Sequence, residues 1–354
     1  MKITVVGAGI IGAMTALRLC GEHQVTIIDH ADTMGRTTDG SLAWLNVCTT
    51  SNLPYARLRK TALDLWHKLL RDHADVPVKM TGSLIWGDTA ADPQERALLM
   101  QSIGWRAEVI DSKTFAKMAP GFAHPPQKAL FVPDEGRADP KAIVHWTLRH
   151  AQAVGAALVS SRVAAVALQD SRVAGVTLQD GTHLPADAVI LAAGHGCAPL
   201  LQQLEVNLPV DRKPGFVVRS APLPRLGDAV FGSEDLDFWQ GADGRVLMAS
   251  SLAKTSEDAL DLAAQDALTV FQSMYPALEP RAEEVIQRDR PIPSDGVSLV
   301  GGVGIAGLYA AVTHSGVTLA PALAETLAQE IVTGTPLPVA APFSPIRFTE
   351  RKAS

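Results

Sequence analysis

With 354 residues, 47% of them apolar and 19% charged, the chain is a packed globular protein long enough for two domains and too apolar to be disordered. A formal net charge of −6 with no Lys/Arg-rich run argues against nucleic acid as a partner. No uninterrupted apolar stretch of about 18 residues offers a membrane span. Cys20, Cys48 and Cys197 lie far apart and form no Cys-x-x-Cys pair, as expected of a reduced, cytoplasmic protein with small buried thiols. The apolar first twenty residues read as fold rather than signal peptide, because three glycines interrupt them and only Lys2 supplies a basic start.

In chain order, residues 2–6 read as a buried strand, 10–20 as a helix and 24–28 as a second strand ending at Asp29. Residues 33–52, rich in Gly, Thr, Ser and Asn, form a long loop of the kind that usually serves function. An amphipathic helix follows over 54–73, with Leu58, Leu65, Trp66 and Leu69 on its apolar face. Strand-like pieces, a helix near 92–103 and proline-rich turns fill 80–135. Asp139 then caps a helix over 139–155, with Pro140 at its first position and Gly155 at its end.

The segments SRVAAVALQD (161–170) and SRVAGVTLQD (171–180) echo each other, and their alternation around Asp170-Ser171 predicts a β-hairpin rather than a repeat array. Residues 187–194 form another buried strand ending in a glycine turn, and 205–250 are strand-rich. A helix over 255–274, two short strands within 297–312 and a last helix over about 318–332 complete the chain. Pro321 fits that helix only close to its first turn.

Gly7, Gly9 and Gly12 form Gly-x-Gly-x-x-Gly between a strand and a helix. They permit a tight turn, a close backbone approach to a pyrophosphate and close helix–strand packing. The helix start supplies free N–H groups and positive potential to phosphates. Asp29, 22 residues past Gly7, stands where a carboxylate holds ribose hydroxyls and disfavours a 2′-phosphate. NAD and FAD both satisfy this pattern.

The far end separates them. Arg290-Pro291, Asp295-Gly296, Gly302, the strand at 307–312 and His314-Ser315-Gly316 appear in the order found in the FAD-dependent amine and amino-acid oxidoreductases. The chain resembles that family, typified by D-amino acid oxidase, glycine oxidase and sarcosine oxidase, over most of its length. Gly40-Ser41, the segment GRADPKAIV and LAAG at 191–194 add to the resemblance. It implies FAD, bound without a covalent link because no cysteine follows Cys197. It also implies an α/β fold, a Rossmann-like FAD-binding domain of the glutathione-reductase type interleaved with a mixed, largely antiparallel α+β substrate domain. The expected boundaries are 1–79, 139–205 and 286–335 for the cofactor, 80–138 and 206–285 for the substrate, and a tail over 336–354.

The resemblance assigns Gly7, Gly9, Ile10, Ile11 and Gly12 to the dinucleotide turn and Asp29 and His30 to the adenosine ribose. Arg36 and Thr37 go to the phosphates, Gly40, Ser41 and Leu42 to the flavin ring, and Val163 to the adenine. Ala193 and Gly194 close over the dinucleotide; Gly302, Ser315, Gly316, Val317 and Thr318 serve the pyrimidine end, where helix polarity favours the reduced flavin. His314 and Arg290 are the catalytic candidates. A turn histidine also reads as a hydrogen-bonded structural residue, and Arg290 either pairs with a substrate carboxylate or bridges the domains. Tyr55 (with Arg57 and Arg59 on the same helix), Trp239 and Lys254 are substrate-side candidates whose plainer readings are helix face, core and surface. Glycine-oxidase-like members carry an arginine in the turn before the final helix; this chain has Thr313-His314-Ser315-Gly316 there. No metal motif is present.

The implied activity is oxidation of the C–N bond of an amine, a D-amino acid or an N-substituted amino acid, with an imine hydrolysed afterwards. The alternatives are a flavin-binding subunit of a multi-subunit dehydrogenase and an NAD-dependent dehydrogenase. The latter requires an unbroken run of βα units after Asp29, which the Gly/Ser/Thr loop contradicts.

Overall fold

The computed structural model describes residues 1–30, 35–87, 92–250 and 257–349. Its centre is a six-stranded sheet whose strands run, edge to edge, Leu299–Gly302, Leu308–Val312, Ala188–Leu191, Lys2–Val6, Gln24–Asp29 and Ala157–Ser160. All neighbours are parallel except the first pair. The runs VVG and VILA are apolar without alternation because both faces are covered. Ile3, Val5, Ile27 and Ile190 point into a core shared with the helices Ile10–Leu19, Leu53–Asp72, Pro140–Ala153 and Gly316–Thr333. Val6, Ile28, Val189 and Leu191 point the other way. They meet a three-stranded antiparallel sheet of Val163–Gln169, Arg172–Leu178 and His183–Pro185.

The hairpin forms as its alternation predicts: Gln169 pairs Arg172, and Asp170 and Ser171 turn the chain at φ 51° and 60°. Both residues tolerate the left-handed region through local hydrogen bonding.

A second, eight-stranded sheet has the order Ala282–Pro293, Val210–Ser220, Val246–Ala249, Asp237–Gln240, Val230–Gly232, Ser83–Ile85, Lys128–Val132, Glu108–Asp111. One face packs Phe216, Phe231 and Phe238 against Phe271 and Tyr275. The helix Ser112–Met118, capped by Asp111, also lies on this side and has no counterpart in the sequence reading. The strand Ala282–Pro293 pairs along its whole length with Val210–Ser220, so it crosses the expected boundary at 286 without a break.

Two further expectations change. The tail after 335 folds back: Phe343 packs on Tyr55 with ring centroids 5.4 Å apart, and Arg347 forks onto the Asp295 carboxylate. Pro321 sits inside the last helix, which begins at Gly316. Proline cannot donate to the Val317 carbonyl four residues earlier. The buried Trp66 Nε1–H supplies that bond instead, 3.0 Å from Val317 O and 3.1 Å from Thr318 O.

Candidate cofactor and substrate cavity

A cavity of about 820 Å³ opens between the two sheets, within the range of small-molecule sites. At one end lies the glycine turn. Gly7 has φ 107°, and a Cβ there would stand 2.6 Å from Ala192 O. A Cβ on Gly12 would stand 1.9 Å from Gly7 O, so this glycine serves helix–strand packing and does not line the cavity. A Cβ on Gly9 would meet only Thr38 Oγ1, at 3.9 Å, which leaves that backbone open to a ligand.

The helix behind it starts without a cap from Gly9; its Ile10 N–H donates to Thr38 Oγ1 at 3.4 Å, and Gly9, Ile10 and Ile11 line the cavity. Asp29 accepts the Ala8 N–H at 2.6 Å and lines the cavity beside His30, Val163, Ala193 and Gly194. Arg36, Thr37, Gly40, Ser41 and Leu42 line it further along. Thr37 donates to Asp289 O, and the Arg36 carbonyl accepts from Arg288 Nε, so strand Ala282–Pro293 anchors this loop.

The last helix supplies a second uncapped N-terminus, with Ser315, Gly316, Val317 and Thr318 on the cavity wall. Arg59 is buried there. It donates to Asn46 O at 2.9 Å, to Asn46 Oδ1, and to Ser315 Oγ at 2.9 Å. His314 lines the same end, and burial, with Arg59 and Arg290 nearby, pushes its imidazole down to about 4. The ring is neutral at neutral pH. Arg290 also lines the cavity; burial lowers its pKa, its Nη2 donates to Pro214 O at 3.3 Å, and its Nε has no partner. Among the described residues it forms no ion pair.

Several expected contacts fall elsewhere. Gly302 is off the cavity, its N–H donating to Glu330 because its strand is the outer edge of the sheet. Tyr55 turns into the core, where its hydroxyl meets Ser298 Oγ at 2.9 Å; Arg59, one helical turn on, takes the cavity position. Trp239 is buried beneath the loop, donating to Leu42 O at 2.7 Å, and does not line the cavity. Lys254 lies outside the described residues. Sequence reading missed Asn46, His195, Val217 and Asp237, all of which line the cavity. Asp237 carries no local signal; burial alone raises its carboxyl to about 7. His73, Asp75 and His150 cluster within 4.8 Å of one another, a group able to hold a metal ion, among residues that do not line this cavity.

Two helix N-termini, a carboxylate closing the second strand and a glycine-lined wall fit an extended dinucleotide. The fit is independent of any comparison. This is the architecture of a flavin-dependent oxidoreductase, and the sequence places it in a family: residues 2–330 match the FAD-dependent oxidoreductases (DAO), to which the chain belongs. Its cofactor is FAD, and no cysteine lines the cavity.

Iminodiacetate oxidase from Chelativorans sp. BNC1 is similar in structure, with TM-score 0.83, 22% identity and coverage of 97% of this chain and 98% of that one. So is glycine oxidase from Geobacillus kaustophilus, at 0.84 and 21%, again over 97% and 98%. L-amino acid deaminase from Proteus vulgaris gives 0.88 at 16% identity, over 98% and 97%. These likenesses show the fold. No curated protein matches the chain. Among the described residues no helix is long and apolar enough to cross a membrane.

Proposed function

We propose that this enzyme oxidises the C–N bond of an amine or amino acid. The observation that carries the proposal is Arg290: a half-buried guanidinium on the cavity wall, without an ion pair among the described residues, beside a neutral histidine. A partly desolvated cation without its counter-charge is unfavourable, and a substrate carboxylate supplies one in bidentate form. The structural neighbours named for glycine, iminodiacetate and L-amino acids are consistent with this reading.

In this scheme Asp29 and the Gly7–Gly12 turn hold the adenosine end, and Arg36 and Thr37 border the phosphates. Gly40–Leu42 and Ser315–Thr318 flank the ring. Bound there, FAD would supply the acceptor for a hydride from Cα; with loss of the amine proton the substrate would become an imine, which water would split into carbonyl compound and amine. Arg290 orients the carboxylate so that the Cα–H faces the ring. His314, uncharged, accepts or donates one hydrogen bond without adding repulsion to the two arginines. The six-stranded sheet and its helices would form the cofactor unit and the eight-stranded sheet the substrate unit, divided after Pro293 rather than at 286. Small amines and amino acids would be the partners, and the cytoplasm the compartment.

The purified holoenzyme, titrated anaerobically with pools of D-amino acids, L-amino acids, N-methyl amino acids and 2-hydroxy acids, provides the test. Bleaching of the flavin band near roughly 450 nm by an amino-acid pool is the expected result. Recolouring in air would mark an oxidase. Arg290→Gln should raise the substrate KM by on the order of a hundredfold, as loss of one buried charged pair implies. Bleaching only by the hydroxy acids would reject C–N oxidation. A flavin that no pool bleaches would point instead to a subunit needing a partner for turnover.

A further inference from the structure

Along the sheet face that runs beneath Arg290, the cavity carries an acid, Asp237, with no ion pair among the described residues. Val217 pairs Ala249, and Ala249 pairs Asp237, in register across three strands. Cross-strand partners share a face, and so do residues two apart on one strand. Gly215, Val217, Ala249 and Asp237 therefore stand on one sheet face, and all four line the cavity. The Arg290 side chain lies directly over Gly215, where a Cβ would meet its Nε at 2.7 Å.

Strand spacing of about 4.8 Å and a two-residue step of about 6.8 Å put the Gly215 and Asp237 backbones about 12 Å apart. Taking off the aspartate arm and a hydrogen bond of about 2.9 Å at each end leaves about 3–4 Å. That is the length of a short aliphatic arm, and Val217 and Ala249 give it an apolar floor. Asp29 and Asp237 are the acids among the lining residues, and Asp29 is occupied by the Ala8 N–H at the adenosine end. Among the described residues Asp237 has no ion pair. Its carboxyl accepts the Ser233 backbone N–H, and its strand partners Gly232 and Ala249 bring no cation to it.

We infer that Asp237 is a specificity-determining residue that receives a distal cationic group, so that the substrate is an amino acid carrying a second, basic nitrogen at the end of a short aliphatic arm. The inference rests on the reading of the cavity as an amino-acid oxidation site. An apolar side chain would leave the Asp237 carboxyl with the Ser233 N–H and no counter-charge among the described residues; an ammonium or guanidinium group would supply one, while Arg290 pairs the carboxylate.

The test compares basic amino acids with neutral isosteres on the holoenzyme: ornithine against norvaline and lysine against norleucine, each as both enantiomers. Rates come from anaerobic flavin bleaching. Dissociation constants come from the spectral shift of the flavin on binding the enantiomer that is not oxidised. The basic member of each pair should exceed its isostere at least tenfold in kcat/KM and in affinity, and Asp237→Asn should narrow both ratios to about twofold. Equal or better use of the neutral isosteres by the wild type overturns the inference while C–N oxidation stands, as does a preference that survives in Asp237→Asn. If neither series bleaches or shifts the flavin, the C–N reading fails and this inference falls with it.

Discussion

Trp66→Phe should destabilise the enzyme through a helix it only touches from outside. Pro321 leaves the Val317 carbonyl without an intrahelical donor, and Trp66 Nε1–H fills that role at 3.0 Å. Val317 is buried, so no water replaces the indole. An unsatisfied buried carbonyl costs roughly 1–3 kcal/mol, and trimming the ring adds a void term of about 1 kcal/mol. At about 2–4 °C per kcal/mol, the unfolding midpoint in excess FAD drops by several degrees.

The second substitution separates the two terms. Pro321→Ala alone returns an N–H that the carbonyl barely needs, and it frees the unfolded chain. In the Trp66→Phe background the same change supplies the missing donor. The double variant should therefore recover about 1–2 kcal/mol relative to additivity. Strict additivity would show that Trp66 is volume and nothing more.

Four further outcomes follow from the structure. Gly12→Ala places a methyl 1.9 Å from Gly7 O and should leave the purified protein with little FAD per chain, read from the ratio of flavin to protein absorbance. The three cysteines are buried and raised in pKa, Cys197 to about 12, so iodoacetamide at pH 8 should label none in the native protein and all three after unfolding. His314 is held near 4 in the fold against 6.5 free, so the unfolded chain binds more protons and stability falls as pH drops from 6.5 toward 4. His314→Asn should flatten that acid slope in unfolding midpoints taken across this window. Arg59→Met should move the His314 imidazole back up toward its ordinary value, followed by proton NMR of the imidazole, because Arg59 is one of the two cations opposing its charge.

The parts legible in the sequence are those whose chemistry is local. The glycine turn, the acid closing the second strand, the Asp139 cap with Pro140 and the Asp170-Ser171 hairpin each carry their reason within a few residues. The Asp111 cap before Ser112–Met118 carried the same kind of signal. What stayed hidden depends on partners distant in the chain. Tyr55 and Arg59 share a helix face, and periodicity alone cannot say which meets the cavity. Arg59 does so because Asn46 and Ser315, 13 and 256 residues away, hold its guanidinium. Asp237 alternates with the core residue Phe238, and that alternation is equally consistent with a solvent-facing acid. Only the register across three strands turns it inward. What compensates Pro321 is equally hidden, because the donor that replaces its missing N–H is Trp66, on another helix.

The same dependence on distant partners bears on the turn that opens the last helix. The resemblance to glycine-oxidase-like proteins implies an arginine in this turn, and here it reads Thr313-His314-Ser315-Gly316. Taken by itself, the substitution removes a cation from the substrate end. In the folded chain two arginines converge on that turn from elsewhere. Arg59 reaches Ser315 Oγ from the helix Leu53–Asp72, and Arg290 and Arg59 both depress the charge of His314. Positive potential is thus kept at this end of the cavity while its source moves to a helix and a strand of two different sheets' surroundings. That arrangement frees the turn to present a neutral imidazole.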